Sequence, residues 1–408
     1  ARTPAPTPDP LAALEDGVTL AFWHPLGPDS AAGKLLAALV AEFEQVHPAV
    51  RVEVTAQGSE GALHRAILLA LAEGRGPDLA LAPPHLVADY ARRGAVAPLG
   101  PYLEDAALSP GTAWEDLYPG AHPAGAGELT LWPYAQHAVG LWYNLDLLRA
   151  AGHSAPPGTW EEFEALCRAV AARTEAAAYG HVPTGRLAAA WLASGGEDLV
   201  AADGGRSAFA GVAGEEALAI LGRLAAEGLS RAYDSPAAAR EAFARGEVAM
   251  LAGSTGEYAE LRRAIGAAGG AVVDWGQAPL PGGETGAALR YGEGLCILAG
   301  EETQRLAAWL LLRYLGEPRQ AAQWAKMGYL PVSASAEEHL ADHLSRSSVA
   351  RQQFAEIAPL ARAEPGARAW REVEDYLLEA LLAVERGAAG PAEALARAAA
   401  LADAALAR

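Results

Sequence analysis

Tyr329 stands in a Gly-Tyr-Leu-Pro turn, where its ring and hydroxyl could serve as a ligand contact. Gly328 and Pro331 end the apolar, helix-like run that precedes this turn, because proline cannot continue a helix. A tyrosine fixed in this way can pack its ring face on carbon and hydrogen-bond through its hydroxyl. A tyrosine that only packs against the helix end is the structural alternative. We predict the ligand contact, a role in binding without covalent chemistry.

The sequence lacks the common motifs of catalysis. It contains no HExxH, no GxSxG, no P-loop and no GxGxxG that opens a helix after a strand. Its ten histidines show no metal-ligand spacing. A hydrolase would need two converging carboxylates, and we place Glu60, Glu284 and Glu293 near a site. We therefore predict no enzymatic activity, no cofactor and no metal, with a secreted hydrolase as the alternative of another class.

The composition points to a soluble globular chain of more than one domain. At 408 residues it is too long for a single core. Its formal net charge of −19 argues against nucleic acid and anionic membrane surfaces as partners. Cys167 and Cys296 lie far apart in apolar contexts, which favours two buried free thiols over a disulfide.

The elements that must position these residues follow an α/β order. The first three predicted strands alternate with helices, which places ligand sites at the carboxyl ends of the strands. A helix-rich middle, a second strand-rich part and closing helices follow, and this alternation predicts two discontinuous lobes. The predicted strands are 18–23, 50–56, 78–84 and 247–253, with extended pieces in 129–143 and 272–298; the helices include 34–46, 63–72, 160–173, 214–227, 236–245, 304–324, 370–386 and 391–406.

Several segments, taken in order over residues 18 to 405, resemble one family. They include AFWH, EFEQVHPAVRVEV, GRGPDLAL, WPYAQHAVGLWYNLDLLRAAG, AFARGEVAML and KMGYLPVSASA. This combination is similar to the extracellular solute-binding proteins of ABC importers, in the maltose-binding-like cluster, and is most similar to the glycerol-3-phosphate-binding branch. The resemblance implies an α/β, periplasmic-binding-protein-like fold in which a multi-strand hinge joins two discontinuous lobes and a ligand cleft lies between them. We expect a flexible tail at 1–17, an N-lobe at 18–132 and 273–326, and a C-lobe at 133–272 and 327–408.

The resemblance also implies which residues face the ligand. Tyr329 matches a ligand-facing tyrosine of the branch, and Gly292 matches a glycine whose backbone faces the ligand. Ser254 and Thr255 match a hydroxyl-bearing turn, which suits an anion or a polyol. The other candidates from these motifs are Gln136, His137, Trp132, Arg290, Arg371, Glu60, His85 and Trp23.

Some of these residues have a structural alternative. Ser254 and Thr255 could cap their own turn. Trp132 could be a core residue rather than a stacking platform, and Arg290 could lie on the surface rather than clamp a phosphate.

The late arginine of the branch has no single counterpart here. Arg371 is the assigned match and Arg368 is its rival, whereas counting back from Gly387 gives Glu374.

The sequence departs from the branch where the glycerol end of the ligand is held. Glu60 stands near the position of a tyrosine, and Pro83-Pro84-His85 replaces an acidic residue. Both changes put free glycerol 3-phosphate in doubt.

We predict the substrate-binding component of an ABC importer. Its expected ligand is a glycerol phosphate, a glycerophosphodiester or a related polyol, with a mono- or oligosaccharide as the alternative. Its expected partners are the permease subunits at the membrane and no nucleic acid, and we expect a monomer. The expected location is secreted, periplasmic or tethered on the outer face of the cytoplasmic membrane.

Overall fold

The computed structural model describes residues 14–109, 114–122, 128–283 and 286–408. Residues 1–13 of the predicted tail and Glu284 lie outside these ranges. Within them, none of the helices is both long enough and apolar enough to cross a membrane.

The chain alternates strands and helices along most of its length. The strands are β1 (Val18–His24), β2 (Val50–Ala56), β3 (Leu79–Ala82), β4 (Trp132–Asn144), β5 (Ala177–His181), β6 (Ser230–Ala232), β7 (Val248–Ser254), β8 (Trp275–Ala278), β9 (Ala288–Ile297) and β10 (Ala361–Ala363). The helices are α1 (Ala31–Val46), α2 (Glu60–Ala72), α3 (Pro84–Arg92), α4 (Gly100–Glu104), α5 (Leu145–Ala150), α6 (Trp160–Arg173), α7 (Gly185–Ser194), α8 (Val212–Ala226), α9 (Pro236–Ala244), α10 (Tyr258–Ala267), α11 (Glu302–Gly316), α12 (Pro318–Ala325), α13 (Ala341–Arg346), α14 (Ser348–Gln352), α15 (Trp370–Glu385) and α16 (Pro391–Leu406).

The strands form a series in the order β2-β1-β3-β9-β4-β7-β5-β6, with β10 beside β9 and β8 beside β4. At one end β1 lies parallel to β2 and β3, and at the other end β5 lies parallel to β6 and β7. The antiparallel strands β9 and β4 connect these two parallel groups. Each parallel group therefore has its own carboxyl edge, where α/β proteins place their ligands.

Two large clusters of buried apolar side chains make the cores. One surrounds β1, β3, α1 and α11, and the other surrounds β5, α6, α7, α8 and α15. β4 contributes Trp132 to the first core and Leu141 to the second, and β9 contributes Leu295 and Leu289 in the same way. These two strands therefore cross between two packed bodies. The lobe boundaries given above remain predictions.

Hydroxyl caps fix the start of two helices that bear on the site. Ser59 accepts a hydrogen bond from the amide of Ala62 at 3.2 Å and opens α2. Thr184 accepts one from the amide of Leu187 at 3.0 Å and opens α7. Such caps satisfy amides that a helix leaves free in its first turn.

The structure differs from the predicted elements in three places. The helix expected over 304–324 is two helices, α11 and α12, because Pro318 starts a new one after Glu317. The extended pieces of 129–143 join into the single strand β4, with a register shift between Pro133 and Ala135. The strand β5 lies in a segment that was assigned only helices.

Cys167 and Cys296 are both buried and free, as predicted.

Candidate functional site

A small cavity of about 180 Å³ lies where the two parallel strand groups face each other across β4 and β9. Charged and aromatic side chains converge on it. Its lining consists of Glu60, Pro83, His137, Arg186, Tyr291, Gly292, Glu293 and Glu364.

The order of the elements explains why these residues meet. Glu60 opens α2 just beyond the carboxyl end of β2, and Pro83 directly follows β3. Arg186 lies in the first turn of α7, just beyond the carboxyl end of β5. The carboxyl edges of both parallel groups therefore supply the walls, as expected for α/β sheets. β4 and β9 supply His137 and Glu293 between them.

Arg186 is the guanidinium at the centre of the site. Its Nε lies 3.3 Å from a carboxyl oxygen of Glu374, and its Nη2 lies 3.9 Å from Glu364. The guanidinium also lies 4.2 Å from the centre of the Tyr291 ring, in cation–π geometry. Burial disfavours its charge, but Glu364 and Glu374 raise the pKa of Arg186 above its ordinary value. Arg186 is therefore charged and already engaged.

Two carboxyl groups of the cavity have raised pKa values, so they stay protonated at higher pH than usual. Burial, together with the neighbouring Glu60, raises the pKa of Glu293 to about 8. Burial raises the pKa of Glu364 to about 7, although Arg186 opposes this shift. Glu364 accepts a hydrogen bond from the indole N–H of Trp370 at 3.2 Å. Near neutral pH these two carboxyl groups thus exchange between acceptor and donor roles.

The rings of His137 and Tyr291 form the aromatic wall of the cavity, and Tyr329 packs on His137 without lining the cavity. The His137 ring lies 4.0 Å from the ring of Tyr329 and 5.5 Å from that of Tyr291. Tyr329 packs in turn at 4.8 Å on Trp324, which is buried. Burial lowers the pKa of His137 to about 3, so its ring is neutral at physiological pH. The wall can therefore pack on a carbon face without adding charge.

The backbone of Gly292 approaches β4 too closely for any other residue. Its φ is +132°, and a Cβ there would lie 2.2 Å from the carbonyl oxygen of Ala135. Gly328, before Tyr329, has φ +100° and would place a Cβ 2.6 Å from the carbonyl oxygen of Thr255. Both turns of the site thus require glycine.

Several residues predicted from the sequence lie at the cavity or beside it. Glu60, His137 and Gly292 line it, and Tyr329 packs on His137. The buried His85 is close enough to Arg186 for the arginine to help burial lower its pKa to about 4.

Three other predicted residues lie near the cavity, but their side chains hydrogen-bond to the backbone of the protein itself. Ser254 caps its own turn by accepting the amide of Gly256 at 3.2 Å. Thr255 accepts the amide of Ala138 at 3.2 Å, and Gln136 donates to the carbonyl of Glu293 at 2.9 Å.

Four further candidates do not line the cavity. Trp132 is 2% exposed and packs against Trp114 and Trp309, so it is a core residue. Trp23 packs at the edge of an apolar cluster of the first core region. The other two are arginines.

Neither predicted arginine clamp points into the cavity. Arg290 is fully buried and donates to the carbonyl of Pro331 at 3.1 Å. Arg371 has a largely exposed side chain that bonds to Glu374 at 3.2 Å. The rival Arg368 lines a different groove.

Sequence reasoning missed Arg186 and Glu364. Arg186 follows a Thr-Gly cap after β5, so recognising β5 would have placed it at a strand carboxyl end. Glu364 follows β10, which has three residues and too little pattern to recognise. Tyr291, next to Gly292 on β9, was not among the predicted site residues either.

A larger groove of about 1110 Å³ runs along α3 and is lined by residues within 197–204, 362–363, 365–369 and 405–408. It shares none of its lining residues with the small cavity. We regard the small cavity as the candidate site, because perturbed titratable groups and ring faces converge there.

The arrangement suits reversible binding. Across the part of the chain that the structure describes, no group of His, Cys, Asp and Glu is placed to hold a metal ion. Glu60 and Glu293, two of the carboxylates that a hydrolase would need, do line the same cavity. The third, Glu284, lies outside the described residues.

Comparisons with known proteins agree with this architecture. Residues 27–322 match the family model described as bacterial extracellular solute-binding protein. The structure of a cyclic alpha-maltosyl-1,6-maltose binding protein from Arthrobacter globiformis superposes with a TM-score of 0.82 at 22% identity, covering 96% of this chain and 99% of that one. A protein from Mycobacterium tuberculosis, solved with glycerophosphocholine, gives 0.76 at 20% identity, covering 96% and 98%.

One curated relative matches over a shorter stretch. It is an osmoprotective-compound-binding protein from Synechocystis, 40% identical over 97 residues, which are 23% of this chain and 22% of the relative. The predicted fold, two α/β lobes of the periplasmic-binding-protein type, is confirmed by the full-length superpositions.

Proposed function

The chain belongs to the bacterial extracellular solute-binding proteins, and we propose that it captures a small hydroxyl-rich solute, a sugar or a polyol, for an ABC importer. Capture takes place in the small cavity between the lobes, and the closed form delivers the solute to a permease at the membrane. The protein acts as a monomer outside the cytoplasm, either free or tethered to the outer face of the membrane.

The observation that carries this ligand class is the excess of acceptors in the cavity. Glu60, Glu293 and Glu364 line it, against the single guanidinium of Arg186, which two carboxylates already hold. Sugar hydroxyls donate hydrogen bonds to carboxylates and pack their carbon faces on rings, whereas a phosphate needs donors. The proteins with similar folds include one that binds a cyclic maltosyl saccharide.

Glycerol 3-phosphate and its diesters are the second candidate. Arg186 supplies one charged donor, and one protein of similar fold was solved with glycerophosphocholine. However, the arginines that the sequence offered as phosphate clamps, Arg290 and Arg371, do not line the cavity. We therefore place the phosphate esters after the sugars and polyols.

A thermal-shift screen tests whether the protein prefers sugars and polyols to phosphate esters. Its ligands are mono- and disaccharides, polyols, glycerol 3-phosphate and glycerophosphocholine. Binding to the folded state stabilises it by about 2.7 kcal/mol when the ligand is at a hundredfold excess over Kd. We expect sugars or polyols to raise the melting temperature. A shift with phosphate esters alone would contradict the proposed sugar or polyol, and turnover of glycosides or phosphodiesters would favour the hydrolase.

Two variants of Tyr329 link the shift to this cavity. Tyr329→Ala removes the ring that packs on His137, so we expect the ligand-induced shift to disappear. Tyr329→Phe keeps the ring and should retain most of the shift if ring packing dominates. Unchanged affinity in Tyr329→Ala would place the ligand elsewhere.

A further inference from the structure

The small cavity carries more negative than positive charge. Glu60, Glu293 and Glu364 line it, while Arg186 supplies the one cation of that lining. A fourth carboxyl group, that of Glu374, lies 3.3 Å behind Arg186 and is 2% exposed. Such a surplus is costly away from bulk water unless something balances it.

Arg186 balances only part of this charge. Its guanidinium is shared between Glu374 and Glu364 and stacked on Tyr291. Arg371, outside the lining, also pairs with Glu374 at 3.2 Å. Glu60 and Glu293, and in part Glu364, therefore face the cavity without a cation of their own among the lining residues.

Glu364 gives an independent sign of a missing donor. Its Oε2 accepts from Trp370, but its Oε1 is fully buried and has no hydrogen-bond partner in the described structure. Buried acceptors in folded proteins are nearly always paired. Because Glu364 lines the cavity and its side chain is only 2% exposed, a donor bound in the cavity can supply this hydrogen bond.

Two rings line the cavity beside these carboxyl groups, those of Tyr291 and the uncharged His137. One face of the Tyr291 ring already packs on Arg186. Aromatic faces carry negative potential and attract ammonium groups, including quaternary ones. Carboxyl groups and aromatic rings therefore line the same space.

Building on the solute-binding role proposed above, we propose that the captured solute carries a positively charged nitrogen, held by Glu364 and Glu293 against this aromatic wall. An amino sugar and a solute with a quaternary ammonium group share this chemistry.

The raised pKa values of the two carboxyl groups agree with a cationic ligand. The raised pKa values of Glu293 and Glu364 mean that protons take part of the charge when nothing else does. A cationic ligand would replace those protons, so binding should release protons to buffer near neutral pH. The titratable and charged groups around the two carboxyls are Glu60 on α2, His85 on α3, His137 on β4, Arg186 on α7, Tyr291 on β9, Tyr329 after α12, and Arg371 and Glu374 on α15.

Calorimetric titration with matched pairs tests the charge directly. The pairs are glucosamine against glucose, and choline against its uncharged isostere 3,3-dimethylbutan-1-ol. Each titration is repeated in two buffers with different ionisation enthalpies, because the difference in measured heat gives the number of protons released. We expect the cationic member of at least one pair to bind about tenfold tighter or more, with proton release. The pair that shows the preference identifies the kind of nitrogen.

Substitutions of single carboxyl groups test which of them holds the positive charge of the ligand. Glu364→Gln keeps the shape of the side chain and removes its charge, so the preference for the cation should fall about tenfold. Glu161→Gln, at an exposed position at the start of α6, is the matched control and should keep the preference. If Glu364→Gln does not fold, Glu293→Gln provides the same comparison.

The outcomes separate this inference from the proposed function. Equal or tighter binding of the neutral members overturns the inference and leaves the solute-binding role intact. No binding of either cation at millimolar concentration also overturns it. Failure of every sugar and polyol in the thermal screen would instead overturn the proposed ligand class.

Discussion

At the scale of single residues, the site is defined by carboxyl groups that the fold prevents from ionising freely. Glu293 has its pKa raised to about 8 by burial and by Glu60, and Glu364 has its pKa raised to about 7 by burial. A pKa raised on folding means that the folded state binds more protons than the unfolded one. Stability from these groups is therefore complete below the unfolded pKa and is lost as the pH rises towards 8.

Glu293→Gln should remove one part of this pH dependence. One pKa unit corresponds to about 1.4 kcal/mol, and after allowing for solvent in the cavity we expect the variant to gain on the order of 2 kcal/mol over the natural protein between pH 5 and pH 8. The measurement is denaturant unfolding of the unliganded protein across this range. Glu161→Gln is the control and should run parallel to the natural protein. Parallel curves for Glu293→Gln as well would mean that Glu293 titrates normally.

Sequence reasoning reached part of this residue-level picture. Glu60, His137 and Gly292 were predicted and line the cavity, because each lies in a motif beside a recognisable strand. Arg186 was missed because its strand, β5, is short and was not recognised within the helix-rich middle of the chain. Glu364 was missed because only tertiary folding brings it to the cavity.

At the scale of elements, the crossing strands β4 and β9 hold the site together. They pair antiparallel, and Gln136 lies opposite Gly292 in the register. The local sequence could predict a strand in each segment, but not that the two would pair across 150 residues. The boundary between α11 and α12 was only partly predictable from the sequence. Pro318 starts a new helix, whereas the apolar pattern continues across it.

Gly292→Ala should disrupt this junction. A Cβ at this position would lie 2.2 Å from the carbonyl oxygen of Ala135 on β4, and φ is +132°. Strain and overpacking of this kind cost on the order of 3 kcal/mol or more. Gly266→Ala, in α10 with open space around it, is the matched control and should be neutral or slightly stabilising. Equal unfolding midpoints for the two variants would show that β4 can move aside.

At the scale of the whole molecule, two cores connected by crossing strands imply a hinge. β4 and β9 each bury side chains in both cores, so the cores can rotate only by bending these strands and the chain between residues 340 and 370. The composition predicted two domains but not where the chain crosses, because apolar residues of β4 serve both cores. The described cavity, at about 180 Å³, lies below the roughly 300–1,000 Å³ of drug-sized sites. It therefore suits a small solute or one end of a larger one.

Ligand binding should contract the protein in solution. A compact chain of 408 residues has a radius of gyration of roughly 22 Å, and an open cleft raises this value. Because a solute contacts both lobes, it favours the closed form by its differential affinity for the two states. We expect small-angle X-ray scattering to show a smaller radius of gyration with a ligand that passes the thermal screen. The same ligand with Tyr329→Ala should produce no contraction, because the variant does not bind it. A profile that is unchanged at saturating ligand would mean that the cavity is already closed when empty, and that access depends on local motion rather than on the hinge.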